Sequence, residues 1–114
     1  MKALITGASS GLGREMAKIL AEKNYDLVIV ARRKELLEEL KNEIGDKVKV
    51  EVETADVSVK DNCVNLFNKH KDVDLLINNA GFGLFGNFAE TDLDKELSMI
   101  ETNISGLHIL TKLY

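Results

Sequence analysis

Residues 6–13 read Thr6-Gly7-Ala8-Ser9-Ser10-Gly11-Leu12-Gly13 and stand between an apolar run, Ala3-Leu4-Ile5, and a stretch with helical spacing. Glycines between a buried strand and a helix do three physical things. They let the backbone turn sharply, they let a diphosphate approach the free amides of the helix N-terminus, and they let that helix pack close on its strand. The spacing, Gly-x-x-x-Gly-x-Gly, is one residue longer at its first gap than the dinucleotide fingerprint Gly-x-Gly-x-x-Gly. A flexible loop that merely caps a helix is the competing reading, and the strand-turn-helix setting decides for the anion cradle.

Working outward, the apolar runs Ala3-Leu4-Ile5, Leu27-Val28-Ile29-Val30-Ala31 and Leu75-Leu76-Ile77 are continuous, as in strands covered on both faces. Val48-Lys49-Val50-Glu51-Val52-Glu53 instead alternates, which predicts a wet face or a place at the sheet edge. Helical spacing joins Leu12, Met16, Ile19, Leu20 and Lys23, then Leu36, Leu37, Leu40 and Ile44, with Gly45 as a C-terminal cap. Ser58 with Asp61 resembles a capping box and opens a helix whose buried face is expected to carry Cys63, Val64 and Phe67. Thr91 and Asp94 repeat the device before a last helix with Leu93, Leu97, Ile100, Ile104 and Leu107 on one face. Strand-helix alternation with short connections implies an α/β fold, a Rossmann-like parallel sheet with helices on both sides and strand order 3-2-1-4. The alternating third strand then forms the outer edge, and Asp74-Leu75-Leu76-Ile77 presents an unpaired apolar edge.

The second apolar run ends in Ala31-Arg32-Arg33, about twenty residues beyond the glycine turn, where the dinucleotide fingerprint places an acidic residue on the ribose. No carboxylate is present there. Guanidinium groups match phosphate geometry and stay charged, so Arg32 and Arg33 favour a 2'-phosphate, and NADP over NAD. One good charge-assisted contact supports a preference of roughly tenfold to a hundredfold. The alternative is two solvated residues at the start of a surface helix.

The whole chain has 114 residues, 45% of them hydrophobic and 30% charged, with a formal net charge of -4, which fits one globular domain rather than a disordered chain. The charges are spread along the chain, so no basic stripe points to nucleic acid. No apolar run approaches membrane-spanning length. Cys63, the one cysteine, sits among apolar residues and fits a reducing, cytoplasmic setting. His70 and His108 lack sequence neighbours that could share a metal, so both are expected in packing or at the surface, with no metal bound.

Three further features stand in order behind Thr-Gly-x-x-x-Gly-x-Gly: Asp56-Val57 after the third strand, Asn78-Asn79-Ala80-Gly81 after the fourth, and Asn103 within the last helix. With these the chain resembles the N-terminal, coenzyme-binding portion of the short-chain dehydrogenase/reductase family along essentially its whole length. The resemblance implies that Gly7, Ser9, Ser10, Gly11, Leu12 and Gly13 form the coenzyme phosphate loop. It implies that Asp56 binds the adenine amino group, with Val57 supplying a backbone contact, and that Asn79, Ala80 and Gly81 steady the sheet and line the ribose side. A solvated or helix-capping aspartate is the competing reading. Ser10 stands where some NADP-preferring members carry a basic residue, so the preference rests on Arg32 and Arg33.

By the same resemblance Asn103 belongs to an Asn-Ser-Tyr-Lys catalytic set, its backbone carbonyl holding a water in a proton relay. An asparagine followed three residues later by Gly106 weakens a helix, so a local kink or bulge there is physically reasonable. An exposed asparagine tolerated in a helix is the bland alternative. The family's serine and Tyr-x-x-x-Lys pair are expected after Tyr114. Residues 1–114 are therefore expected to form an incomplete NADP-binding Rossmann domain, inactive alone, whose full form moves a hydride between the nicotinamide and a small-molecule carbonyl or alcohol. The bare edge and the face around Ile104, Leu107 and Leu110 predict a homo-oligomer.

Overall fold

Side chains of a strand point alternately to its two faces, so a continuous apolar run needs cover on both. The computed structural model describes residues 1–114 and supplies that cover. Strands β1 (Lys2–Thr6), β2 (Asp26–Ala31), β3 (Val50–Thr54) and β4 (Leu75–Ile77) alternate with helices α1 (Gly11–Glu22), α2 (Lys34–Ile44) and α3 (Lys60–Lys69). After β4 come α4 (Leu93–Ile100), a π-helical turn (Glu101–Gly106) and α5 (Leu107–Leu113). The sheet is parallel in the order β3-β2-β1-β4, with Leu4 opposite both Val28 and Leu76. On one face Ala3, Ile5, Leu27 and Ile29 pack with Ala17 and Ala21 of α1 and with Leu37, Leu40 and Ile44 of α2. On the other, Leu4, Val28 and Val30 pack with Cys63 and Leu66 of α3 and Leu110 of α5. Burying one such large aliphatic side chain stabilises the fold by about 1.5 to 3 kcal/mol.

The buried face of α1 differs from the expected one. Gly13, Ala17 and Ala21 face the sheet, whereas Leu12 and Ile19 are 74% and 54% exposed. The helix lies so near the strand ends that only small side chains fit, which overrides the simple apolar count. Of the expected α2 face, Leu37, Leu40 and Ile44 turn inward while Leu36 is only half-buried, and the Gly45 amide closes the helix on the Lys41 carbonyl.

Neither expected capping box forms. Val59 is the N-cap of α3, and Ser58 bonds to Asp56 instead, whose Oδ1 accepts from the Ser58 amide at 3.0 Å and hydroxyl at 2.7 Å. Asp92 caps α4 by accepting from the Asp94 amide at 2.9 Å, while the Thr91 hydroxyl donates to Glu96 at 2.8 Å. In α3 the inward residues are Cys63 and Leu66, one turn apart, and Phe67 instead meets Tyr114 edge-on. Leu93, Leu97, Ile100, Ile104 and Leu107, expected on one face of a single helix, are all exposed, and the π-helical turn interrupts that helix between Ile100 and Leu107.

β3 is an edge strand, as its alternation predicts, yet its polar face is partly covered. His70 is only 2% exposed and sets Nδ1 3.1 Å from Glu51 Oε2 and Nε2 2.7 Å from Glu53 Oε1, so the expectation that it lacks partners is corrected. Lys69 Nζ lies 2.6 Å from the same Glu53 oxygen. Burial pushes the Glu53 carboxyl up, but hydrogen bonds from Lys69 and His70 outweigh it and hold it below the usual range. Glu51 is also held low, chiefly by the hydrogen bond from Lys49. A carboxylate with a lowered folded pKa stabilises the fold above its unfolded value of about 4.3, and that contribution vanishes as pH falls through the lower folded value. Urea midpoints are therefore expected to drop as pH is lowered from neutral through this range. Glu53→Gln is expected to be less stable than the parent at neutral pH and to lose part of that acid dependence.

Candidate functional site

The ends of β1 and β4 are tied together beside the glycine turn through one hydroxyl. Thr6 Oγ1 accepts from the amides of Asn79 and Ala80, each at 3.0 Å, and donates to the Ile77 carbonyl at 3.4 Å. The Asn79 side chain then donates from Nδ2 to the Gly7 carbonyl at 3.2 Å. Gly7 has φ +65, and a Cβ there would stand 2.9 Å from Ala80 Cα. A Cβ on Gly13 would lie 2.4 Å from the Gly7 carbonyl oxygen and 2.5 Å from Asn79 Nδ2. The turn, the first residues of α1 and the Asn78–Gly81 segment thus interlock without room for a methyl group.

A crevice of about 630 Å³ opens above this junction. That volume lies within the range of about 300 to 1,000 Å³ common for ligand and cofactor pockets. Gly7, Ser9, Ser10 and Leu12 form one wall. Gly11 and Gly13, in the first turn of α1, do not line it. Ser10, the N-cap of α1, makes no side-chain capping bond, and the first turn carries no acidic residue. The amides at the start of this 12-residue helix are thus left for an anion.

Arg32 and Arg33 line the same crevice from the end of β2, on the side of the turn. Both are exposed, and neither takes part in an ion pair, unlike Arg14, which pairs with Glu43. Asp56 and Val57 form the adjoining wall, with Ala31 and Ala55 between. Asp56 Oδ1 is held by Ser58, whereas its second carboxylate oxygen has no hydrogen-bond partner in the protein. The Val57 carbonyl accepts from Cys63 Sγ at 3.2 Å, and burial pushes that thiol's pKa up.

Asn79, Ala80 and Gly81 close the far end together with Phe82 and Thr102. Asn103 does not line the crevice. Its side chain grips the Phe82 backbone, Oδ1 accepting from the amide at 3.0 Å and Nδ2 donating to the carbonyl at 2.8 Å. It sits in the π-helical turn, which is the local distortion that the asparagine and glycine predict. Asn78 points elsewhere, donating to Thr111 Oγ1 at 2.9 Å. Tyr114 is half-buried against Phe67, its hydroxyl on the Leu66 carbonyl and its pKa pushed by burial up to about 12. Sequence reasoning missed Thr6, Phe82 and Thr102 as site residues. Only Thr6 had a usable signal, a hydroxyl on the last strand residue before the glycine turn.

Comparison with known proteins agrees with the fold. The sequence profile of the short chain dehydrogenases matches residues 1–114. Sulfoacetaldehyde reductase 2 of Chromohalobacter salexigens is 39% identical over 112 residues, covering 91% of this chain and 43% of the relative. A short-chain dehydrogenase from Sphingobium yanoikuyae, solved in complex with NADPH, superposes with a TM-score of 0.91 at 32% identity, covering 98% of this chain and 46% of that one. An alcohol dehydrogenase from Thermococcus sibiricus, complexed with 5-hydroxy-NADP, gives a TM-score of 0.89 at 32% identity over 99% of this chain and 51% of that one. The chain spans about half the length of the curated relatives it matches.

Two substitutions test the interlock. Gly13→Ala inserts a methyl group into a closed junction and is expected to cost about 1 to 3 kcal/mol in urea denaturation. Asn79→Ala removes the tie to Gly7 and is expected to cost about 1 to 2 kcal/mol by the same measurement.

Proposed function

Since the chain belongs to the short-chain dehydrogenase family, we propose that residues 1–114 form the coenzyme-binding portion of an NADP(H)-dependent oxidoreductase. The whole protein would move a hydride between the nicotinamide and a small-molecule carbonyl or alcohol. The observation that carries this reading is the pair of unpaired guanidinium groups, Arg32 and Arg33, facing the same crevice as the uncapped start of α1. NADPH in the Sphingobium yanoikuyae relative supports the same choice. The donor set fits the coenzyme: backbone amides for the diphosphate, guanidinium groups for an additional phosphate, and a free carboxylate oxygen for an exocyclic amine.

In this reading Gly7, Ser9, Ser10, Gly11, Leu12 and Gly13 present the diphosphate cradle, and Arg32 with Arg33 hold the 2'-phosphate. Asp56 accepts from the adenine amine beside Val57, and Asn79, Ala80 and Gly81 back the nicotinamide ribose. Asn103 pins Phe82 with its side chain and offers its main-chain carbonyl to a water that passes protons. Once bound, the coenzyme gives or takes the hydride. No Tyr-x-x-x-Lys occurs within the 114 residues, so binding without turnover is the behaviour assigned to these residues by themselves. Buried, unpaired Cys63 agrees with a cytoplasmic setting.

Titration is expected to show NADPH binding roughly tenfold to a hundredfold more tightly than NADH. Arg32→Ala with Arg33→Ala is expected to erase that difference while leaving NADH binding in place. Equal affinities in the parent protein would remove the 2'-phosphate assignment.

A second property, self-association, is favoured by a separate observation. Leu93, Leu97, Ile100, Ile104 and Leu107 leave five large apolar side chains exposed along α4, the π-helical turn and α5. The acidic start of α4 and the basic Lys112 near the end of α5 favour an antiparallel second copy of this chain. Sedimentation is expected to show a concentration-dependent dimer that Ile104→Glu abolishes, and a strictly monomeric parent would refute it.

A further inference from the structure

The π-helical turn reaches both ends of the crevice. Asn103 grips Phe82 at one end. Three residues later, buried Gly106 lies against Val57 at the other. A Cβ on Gly106 would stand 2.4 Å from the Val57 carbonyl oxygen and 3.1 Å from its carbon. The backbone of Gly106, with φ -60, is one that any residue adopts, so glycine is needed here for space and not for conformation. The same carbonyl oxygen meets Cys63 Sγ at 3.2 Å on another side, inside the cluster of Leu66 and Leu110. It has little room to retreat.

Val57 directly follows Asp56, and Asp56 is tied to the loop by Ser58 and, through its own carbonyl, by Asn62 Nδ2 at 3.0 Å. Moving the Val57 carbonyl therefore moves the Asp56 carboxylate. We propose that Gly106 is a positioning residue for the adenine end of the site: its missing side chain sets how deeply the Asp56–Val57 loop sits, and so where the free Asp56 oxygen meets the base. One turn of helix then fixes the spacing between the Phe82 end and the Asp56 end. The inference rests on the proposed reading of the crevice as an NADP(H) site.

The test is discrimination between NADPH and its hypoxanthine analogue, which lacks the exocyclic amine that Asp56 accepts from. The parent protein is expected to bind NADPH about tenfold more tightly than the analogue. Gly106→Ala is expected to bring the two affinities within about threefold, while the analogue itself binds nearly as in the parent. Should that variant not fold, Gly106→Ala with Cys63→Ala takes its place, because removing the thiol lets the carbonyl move into the vacated space. That double variant is expected to fold with its adenine preference equally lost. A folded variant of either kind that keeps the parent's discrimination overturns the assignment of Gly106. A parent protein that binds neither dinucleotide overturns the coenzyme reading itself, which separates the two failures.

Discussion

The Thr6 hydroxyl is the constraint on which the rest of this structure depends. It joins two segments far apart in the chain, the end of β1 and the Asn79–Ala80 amides after β4, at 3.0 Å each. With Asn79 on the Gly7 carbonyl, it draws the glycine turn against the neighbouring strand end until neither Gly7 nor Gly13 has space for a Cβ. Close approach of this kind brings the first amides of α1 over the sheet's carboxyl edge, where ligands of doubly wound sheets bind. Without the interlock the amides would still be uncapped, but they would not face the same crevice as Arg32 and Asp56.

The strands themselves and the edge place of β3 were legible in the sequence because they depend on local runs, whereas the order 3-2-1-4 came from the usual doubly wound arrangement. Ala3-Leu4-Ile5 and Leu27–Ala31 have no polar face to offer solvent, and the edge place of β3 follows from Glu51 and Glu53 alternating with valines. The inward face of α1 was not legible for a physical reason. Apolar periodicity assumes that the largest side chains go inside, whereas a helix pressed to within contact of a strand end selects Gly13, Ala17 and Ala21 and turns Leu12 and Ile19 outward. The capping boxes failed through local competition. Asp56 captures Ser58 before it can cap α3, and Asp92 reaches the α4 amide ahead of Thr91. The partners of His70 lie 17 and 19 residues away on a neighbouring strand, a pairing that only tertiary structure creates.

At the candidate site the legible residues are those whose chemistry is unusual for their place. Two arginines where a carboxylate is the norm, and a run of small residues after a buried strand, stand out without any coordinates. Phe82 and Thr102 do not, since an aromatic residue and a threonine carry no local sign of lining a crevice. Asn103 is the intermediate case. The helix weakness around it is written in the Asn-Ile-Ser-Gly sequence, and the structure places a π-helical turn there. What the side chain does, a two-point grip on the Phe82 backbone, depends on a loop twenty-one residues away.

A π-helical turn is a costly way to continue a helix and persists where the surroundings over-determine it. Here the surroundings are named: Asn103 on the Phe82 amide and carbonyl, and Gly106 against Val57. The wider turn advances each residue by less than the roughly 100° of a regular helix, so the side chains that follow it are rotated from where an unbroken α-helix would carry them. Ile104 and Leu107, each next to one of these contact residues, are exposed. The irregular turn thus carries two contacts at the crevice, one made by the Asn103 side chain and one by the bare backbone of Gly106, with exposed apolar residues beside them.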